Sequence, residues 1–162
     1  MSMSVSSPPS ILIRADASTE IGTGHVMRCL ALAQEVCDRG GQVLFASADN
    51  LPALQERICE EGCDYRKIDA PGGSEKDALL SSAFAEEIDA QWILADGYHF
   101  RSAFHRIVRE QYKLLLVDDF GSNDSYHVDA LLNQNISAQK SWYEQCSPET
   151  MFLLGAKYAL LR

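Results

Sequence analysis

Short apolar runs alternate along the chain with longer amphipathic stretches. The runs indicate buried strands, and the stretches between them have the spacing of helices that are apolar on one face. The predicted strands are 11–13, 42–47, 63–68, 91–96 and 113–119, with further candidates at 129–134 and 151–155. The predicted helices are one that starts near residue 24 and stops at Gly40 and Gly41, followed by 51–62, 75–88 and 101–112.

This alternation predicts the fold class. Strands that alternate with helices of this length are joined by right-handed crossovers, which give a mainly parallel sheet with helices on both faces. We therefore predict an α/β, Rossmann-like fold. The carboxyl ends of its strands meet at one edge of the sheet, where ligands bind.

Acidic residues follow three of the predicted strands, so they should meet at that edge. They are Asp16, then Asp96 with Gly97 and Tyr98, and then Asp118 with Asp119. Such aspartates commonly cap helices or bind loop amides. We favour that structural role for Asp118 and Asp119, because adjacent carboxylates would repel a diphosphate without an intervening metal.

The loop between the first strand and the first helix has the features of a polar ligand site. Gly22 and Gly24 permit positive φ or a close approach of the backbone to a ligand, and Thr23 brings a hydroxyl near the unpaired N–H groups of the first helical turn. His25 follows at the helix N-terminus, whose positive end disfavours imidazolium. A neutral imidazole can take a proton from water. A capping or packing role is the alternative for His25.

The segment RADASTEIGTGHVMRC, residues 14–29, resembles the opening of the nucleotide-sugar hydrolases of pseudaminic acid biosynthesis. That family is also grouped with spore coat polysaccharide biosynthesis proteins. Later segments resemble it in the same order: Asp96 to Tyr98, the pair Asp118 and Asp119, Leu131 to Asn135, and 153–162. The chain departs from the family at Ala156, where proline is usual, and at 120–127, where an arginine- and proline-bearing loop is usual.

The resemblance implies a metal-independent and cofactor-free enzyme whose fold resembles the N-terminal domain of GT-B glycosyltransferases. Such an enzyme releases UDP from UDP-2,4-diacetamido-2,4,6-trideoxy-β-L-altrose by inverting attack of water at the anomeric carbon. In this interpretation His25 is the general base and Tyr98 donates a hydrogen bond in the sugar pocket.

The resemblance also implies a set of substrate-binding residues. Asp16 would orient a sugar hydroxyl or the His25 loop, and the amides of Gly22, Thr23 and Gly24 would meet pyrophosphate or acetamido groups. Arg14 and Asp96 complete the predicted set.

The resemblance covers residues 11–162, which we predict to form one domain after a disordered leader at 1–10. The leader has neither the charged nor the apolar region of a signal peptide. In GT-B-like enzymes a C-terminal domain supplies most of the uridine and diphosphate contacts. We therefore expect these 162 residues to fold alone but to hydrolyse little without a UDP-binding domain in cis or trans.

Composition narrows the range of partners. A formal charge of −9 and a pI near 4.8 argue against a nucleic-acid or anionic membrane surface, because phosphate binding needs clustered Lys and Arg. No run of apolar residues is long enough to span a membrane. The odd number of cysteines, 5, favours free thiols and a cytoplasmic location. Cys59 and Cys63 have no second Cys/His pair, so no metal site is expected.

Three other functions are open to a sequence of this kind. Gly22, Gly24 and Met27 approach the dinucleotide fingerprint G-x-G-x-x-G, with Asp49 placed to face a ribose, but Met27 replaces the last glycine and the loop is too long. A sugar-nucleotide glycosyltransferase would differ from a hydrolase only in its acceptor. A non-catalytic sugar-binding module would keep the pocket but bind ligand without need of His25.

Overall fold

The computed structural model describes residues 7–18, 20 and 22–161 of the chain, and its centre is a parallel sheet. The strands are β1 (Ser10–Ala15), β2 (Gln42–Ser47), β3 (Asp64–Lys67), β4 (Trp92–Asp96), β5 (Lys113–Val117), β6 (Ala130–Asn133) and β7 (Met151–Leu154). The α-helices are α1 (Gly24–Asp38), α2 (Pro52–Glu60), α3 (Glu75–Glu87) and α4 (Ser102–Val108). Two 3₁₀ turns cover Lys140–Tyr143 and Ala156–Tyr158.

The order of the strands places a crevice in the middle of the sheet. That order is β3-β2-β1-β4-β5-β6-β7, and each neighbouring pair is parallel. The chain runs outward from β1 to β3, then returns and runs outward on the other side from β4. Ligands of such folds bind outside the carboxyl ends of the strands where the direction reverses, which here lies between β1 and β4.

Helices cover both faces of the sheet, as predicted. On one face, α1 and α2 pack on the strands through a cluster that includes Val26, Leu30, Ala33 and Ile58. On the other face, α3 and α4 pack through a cluster that includes Ala78, Ala85, Phe104 and Val108. The central strands are mostly apolar on both sides because both sides are covered, whereas the edge strand β3 is polar and largely exposed. The fold is therefore α/β and Rossmann-like.

The start of α1 follows from its sequence. Gly22 has φ +80°, a left-handed conformation that glycine adopts without strain, and its amide donates to the Ser18 carbonyl at 2.7 Å. Thr23 is the N-cap residue, but its side chain makes no capping hydrogen bond. The helix ends at Asp38, just before Gly40, which also has positive φ.

The predicted elements differ from the observed ones in their boundaries. The helix predicted over 101–112 ends at Val108, because the amides of Glu110 and Gln111 bond to carbonyls three residues back and tighten the chain into turns. Strand β1 begins at Ser10, inside the range predicted as a leader, and residues 1–6 of that range lie outside the described residues. Within the described ranges, no helix combines the length and apolar character needed to cross a membrane.

Candidate functional site

A cavity of about 750 Å³ opens beside the N-terminal half of α1, at the carboxyl edge of the sheet. It lies at the crevice that the strand order predicts. Its polar lining residues are His25, Arg28, Gln34, Arg57, Tyr98, Asp119 and Gln134. Its other lining residues are Gly24, Met27, Leu30, Ala31, Leu160 and Leu161.

His25 is held in this wall by a carboxylate behind it. Its Nδ1 lies 2.7 Å from Oδ1 of Asp96, which ends β4 and is completely buried. A proton on Nδ1 donated to Asp96 leaves a lone pair on Nε2, and none of the described residues hydrogen-bonds that nitrogen. The side chain is 10% exposed and lines the cavity. Nε2 is thus the ring nitrogen that can accept a proton from a molecule in the cavity.

Arg28 lies three residues after His25 on the same face of α1. Its guanidinium donates to both oxygens of Asp96 at 2.6 Å, and to the two oxygens of Asp119 at 2.9 and 3.1 Å. Burial alone would raise the pKa of Asp96, but the hydrogen bonds and charges of Arg28 and His25 outweigh it and lower that pKa. Asp96 is therefore a carboxylate that stays ionised although it is buried.

The Tyr98 ring packs against the His25 ring. The two rings meet edge to face with centroids 5.0 Å apart, and the Tyr98 hydroxyl donates to Asp119 at 3.3 Å. Burial and the charge of Asp119 raise the pKa of Tyr98, so the phenol keeps its proton at neutral pH. The side chain is half exposed, and its hydroxyl can also turn to a ligand in the cavity.

The two adjacent aspartates after β5 have different roles. Asp118 accepts from the amides of Phe120 and Gly121 and from the Tyr126 hydroxyl at 2.7 Å, which is the loop-binding role predicted for it. Asp119 instead lines the cavity and pairs with Arg28. Only one of the two adjacent carboxylates therefore faces the cavity, and an arginine pairs with it.

Arg14 lies away from the cavity, on the α3 face of the sheet. It is completely buried and donates to Asp16 and to Asp77 of α3, with its guanidinium 5.0 Å from the Phe100 ring centre. No surface of Arg14 is left for a ligand. The predicted substrate contact of Arg14 is therefore replaced by a structural ion pair.

Asp16 is also used by the protein itself. Its oxygens accept from Arg14, from the Ala48 amide at 2.8 Å and from Ser47 at 3.1 Å, and His99 Nε2 lies 2.9 Å away. Burial would raise the pKa of Asp16, but His99, Arg14 and the Ala48 amide hold it well below its usual range. With only 5% of its surface exposed, Asp16 ties β1 to the loop after β2.

The predicted site residues thus separate into three groups. His25, Tyr98 and Gly24 line the cavity. Asp96 lies directly behind His25, and Gly22 and Thr23 lie in the loop that leads to the cavity without lining it. Arg14 and Asp16 hydrogen-bond to each other and do not line the cavity, and Arg14 also donates to Asp77 of α3.

Several lining residues were not predicted as site residues. Arg28 was not singled out, and Asp119 was expected to have a structural role, yet both line the cavity and pair with each other. Arg28 could have been found from its spacing, because residues three apart on a helix share a face and His25 was already placed there. Gln34, Arg57 and Gln134 gave no such signal. Among the described residues, no group of three or more His, Cys, Asp or Glu side chains could hold a metal ion.

Comparison with known proteins finds two sequence relatives. The chain is 30% identical over 155 residues to the UDP-2,4-diacetamido-2,4,6-trideoxy-β-L-altropyranose hydrolase of Campylobacter jejuni, a match that covers 94% of this chain and 52% of that enzyme. It is 24% identical over 157 residues to an uncharacterized protein of Methanocaldococcus jannaschii, covering 94% of this chain and 31% of that protein. The chain thus spans about half the length of the first relative and less of the second. No family model matches it.

A solved structure supports the fold. A glycosyltransferase from Rickettsia africae superposes with a TM-score of 0.53 over 69% of this chain and 30% of the other, at 11% identity. This likeness concerns the fold alone. The sequence match to the hydrolase fits a chain from a related family.

Proposed function

We propose that this chain binds the sugar of a nucleotide sugar beside His25 and that His25 activates water to hydrolyse it. The similarity to the hydrolase supports a nucleotide-sugar-related function in general terms. The observation that carries the finer proposal is the His25–Asp96 pair, which directs one ring nitrogen into a polar cavity.

In the proposed reaction, His25 and Asp96 each have a distinct role. Water attacks the anomeric carbon from the face opposite the diphosphate, and His25 Nε2 takes its proton as the carbon–oxygen bond forms. The bond from the anomeric carbon to the diphosphate oxygen breaks, its electron pair leaves with UDP, and the configuration inverts. The Asp96 carboxylate stabilises the imidazolium that forms, as a buried acid does behind a catalytic histidine.

The substrate that we propose is UDP-2,4-diacetamido-2,4,6-trideoxy-β-L-altrose, the sugar nucleotide in the name of the Campylobacter relative. The amide side chains of Gln34 and Gln134 line the cavity and are suited to acetamido and hydroxyl groups. The UDP would be held by a further domain in cis or trans. Neither a metal nor a cofactor takes part in this proposal, and the free thiols of all cysteines fit a cytoplasmic location.

Hydrolysis in ¹⁸O-labelled water tests the proposal. The chain is mixed with an equal concentration of the sugar nucleotide, and the products are followed by ¹H and ³¹P NMR and by mass spectrometry. We expect slow release of UDP, with the label on the sugar and the first-formed anomer inverted. His25→Asn should lower the rate by about 10²- to 10⁴-fold, the usual contribution of a general base. His127→Asn, a change of the same kind in the loop before β6, serves as the matched control.

Other results would contradict the proposal in different ways. Label in UDP would show attack at phosphorus instead of carbon. Transfer to an added sugar but not to water would indicate a glycosyltransferase. Binding that His25→Asn leaves unchanged, with no hydrolysis by the unmodified chain, would indicate a non-catalytic sugar-binding module.

A further inference from the structure

Arg28 occupies the back of the cavity and contacts three of its functional groups at once. It holds both oxygens of Asp96 and both oxygens of Asp119, and its Nη2 lies 3.3 Å from His25 Nδ1. Its side chain is only 14% exposed, so water screens its charge weakly. Arg28 therefore joins α1 to the carboxyl ends of β4 and β5.

The charge of Arg28 opposes an effect that Asp96 would have alone. A carboxylate within hydrogen-bond distance of an imidazole favours its protonated form. A general base has to be unprotonated when water enters the site. Arg28 places a positive charge 3.3 Å from the ring nitrogen that Asp96 approaches at 2.7 Å, so it opposes the effect of Asp96 in part. The hydrogen bond between His25 and Asp96 remains in place beside Arg28.

The other titratable groups around the His25 ring keep the same charge whether or not Arg28 is present. Cys29, which approaches Asp96 at 3.4 Å, is buried, and burial raises the pKa of its thiol well above the usual value. Tyr98 keeps its proton. Asp119 accepts from Arg28 and adds a negative charge near the ring, which stays the same when Arg28 alone is replaced. Arg57 of α2 lines the same cavity, but its charge is paired with Glu61 at 2.6 Å.

Arg28 also orients the carboxylates of Asp96 and Asp119. The Asp96 oxygen that accepts from Arg28 Nη2 is the one that faces His25. The Asp119 oxygen that accepts from Nη2 also accepts from the Tyr98 hydroxyl. The planar guanidinium of Arg28 thus fixes the carboxylates that hydrogen-bond to His25 and Tyr98. A guanidinium can donate two parallel hydrogen bonds to a carboxylate, whereas the ammonium of a lysine cannot.

We propose that Arg28 is a positioning residue whose positive charge opposes the charge of Asp96 at the His25 ring, while its fork orients Asp96 and Asp119. This deepens the proposed function and rests on it, since only a general base must be free of its proton.

The titration of the His25 ring, followed by ¹⁵N NMR of the free chain between pH 4.5 and 9, tests this proposal without any substrate. In Arg28→Gln the midpoint should rise by about one pH unit or more, which corresponds to a tenfold or greater loss of unprotonated ring below the midpoint. Arg28→Lys keeps the charge and should move the midpoint much less. Arg39→Gln, at the far end of α1 and paired with exposed Glu35, is the matched control and should not move it.

The same variants give a second reading in the hydrolysis assay. The acid limb of the rate profile should move upward in Arg28→Gln by the same amount as the ring titration, so that part of the lost rate returns at alkaline pH. The double variant Arg28→Gln/Asp119→Asn removes one charge of each sign, and it should raise the midpoint even if the single variant does not fold.

An unchanged midpoint in a folded Arg28→Gln or double variant would overturn the proposal and leave Arg28 as a structural ion pair. The proposed function fails by a different result, since the ring titration needs no substrate. A shifted midpoint without any His25-dependent hydrolysis would support the electrostatic role and contradict the hydrolase.

Discussion

Arg14 and Arg28 belong to the same sequence motif but lie on opposite faces of the sheet. Arg14 points from β1 toward α3, where Asp16 and Asp77 surround it. Arg28 points from α1 toward the cavity. The motif alone suggested a substrate contact for Arg14, and it gave no sign that a covered sheet face would bury the residue. The role of Arg28 depended on Asp119, whose position beside β4 only the sheet order supplies.

Removal of Arg14 should destabilise the fold in a way that depends on pH. Arg14→Met leaves Asp16 and Asp77 buried without their partner, which costs about 3–5 kcal/mol at pH 7. The lowered pKa of Asp16 stabilises the wild-type fold above the unfolded-state value of about 4, and that contribution is lost as pH falls further. The free energies of unfolding of wild type and variant should therefore converge between pH 7 and pH 3, as measured by urea titration.

A surface arginine provides the control for this change. Arg109 pairs with Asp129 but is about one-third exposed, so Arg109→Met should cost less than about 1 kcal/mol. Equal destabilisation by Arg14→Met at both pH values would contradict the assigned role of Arg14 and Asp16.

At the scale of elements, each strand of the described sheet lies at a predicted or candidate strand, and apolar runs mark most of them, although β3 is polar. The run QVLFAS, for example, corresponds residue for residue to β2. The end of α4 was predicted too late, since nothing in its apolar spacing marks the tightening of the chain after Val108. The first helix was placed correctly because glycines bound it at both ends.

The two glycines before α1 should respond differently to alanine. Gly22 has φ +80°, so Gly22→Ala should cost about 1–2 kcal/mol from backbone strain alone. Gly24 is the first residue of α1, and an added Cβ meets no atom within 4 Å. Gly24→Ala should therefore leave thermal stability unchanged or raised, while lowering sugar affinity because Gly24 lines the cavity. Thermal melts and ligand titrations measure both, and equal melting shifts would contradict the argument.

At the scale of the whole molecule, an acidic chain contains a cavity that is lined by two arginines. The formal charge is −9, yet Arg28 pairs with the cavity carboxylate Asp119, and Arg57 lines the same cavity while it pairs with Glu61. The sequence could predict that the strand ends meet, since parallel sheets require it. It could not predict which side chains share one side of the crevice, because that depends on how helices from distant parts of the chain pack on each face.

The central claim is that the sugar of a nucleotide sugar binds beside His25, and an NMR titration of the chain tests it most directly. The ligands are the proposed sugar nucleotide, the free sugar and UDP, each added separately while the backbone amides are followed. We predict that both sugar-containing ligands shift the amides of 24–28 and 96–99, and that UDP alone shifts them little. If neither ligand that contains the sugar shifts those amides, or if the shifts map to another face of the sheet, the claim is wrong.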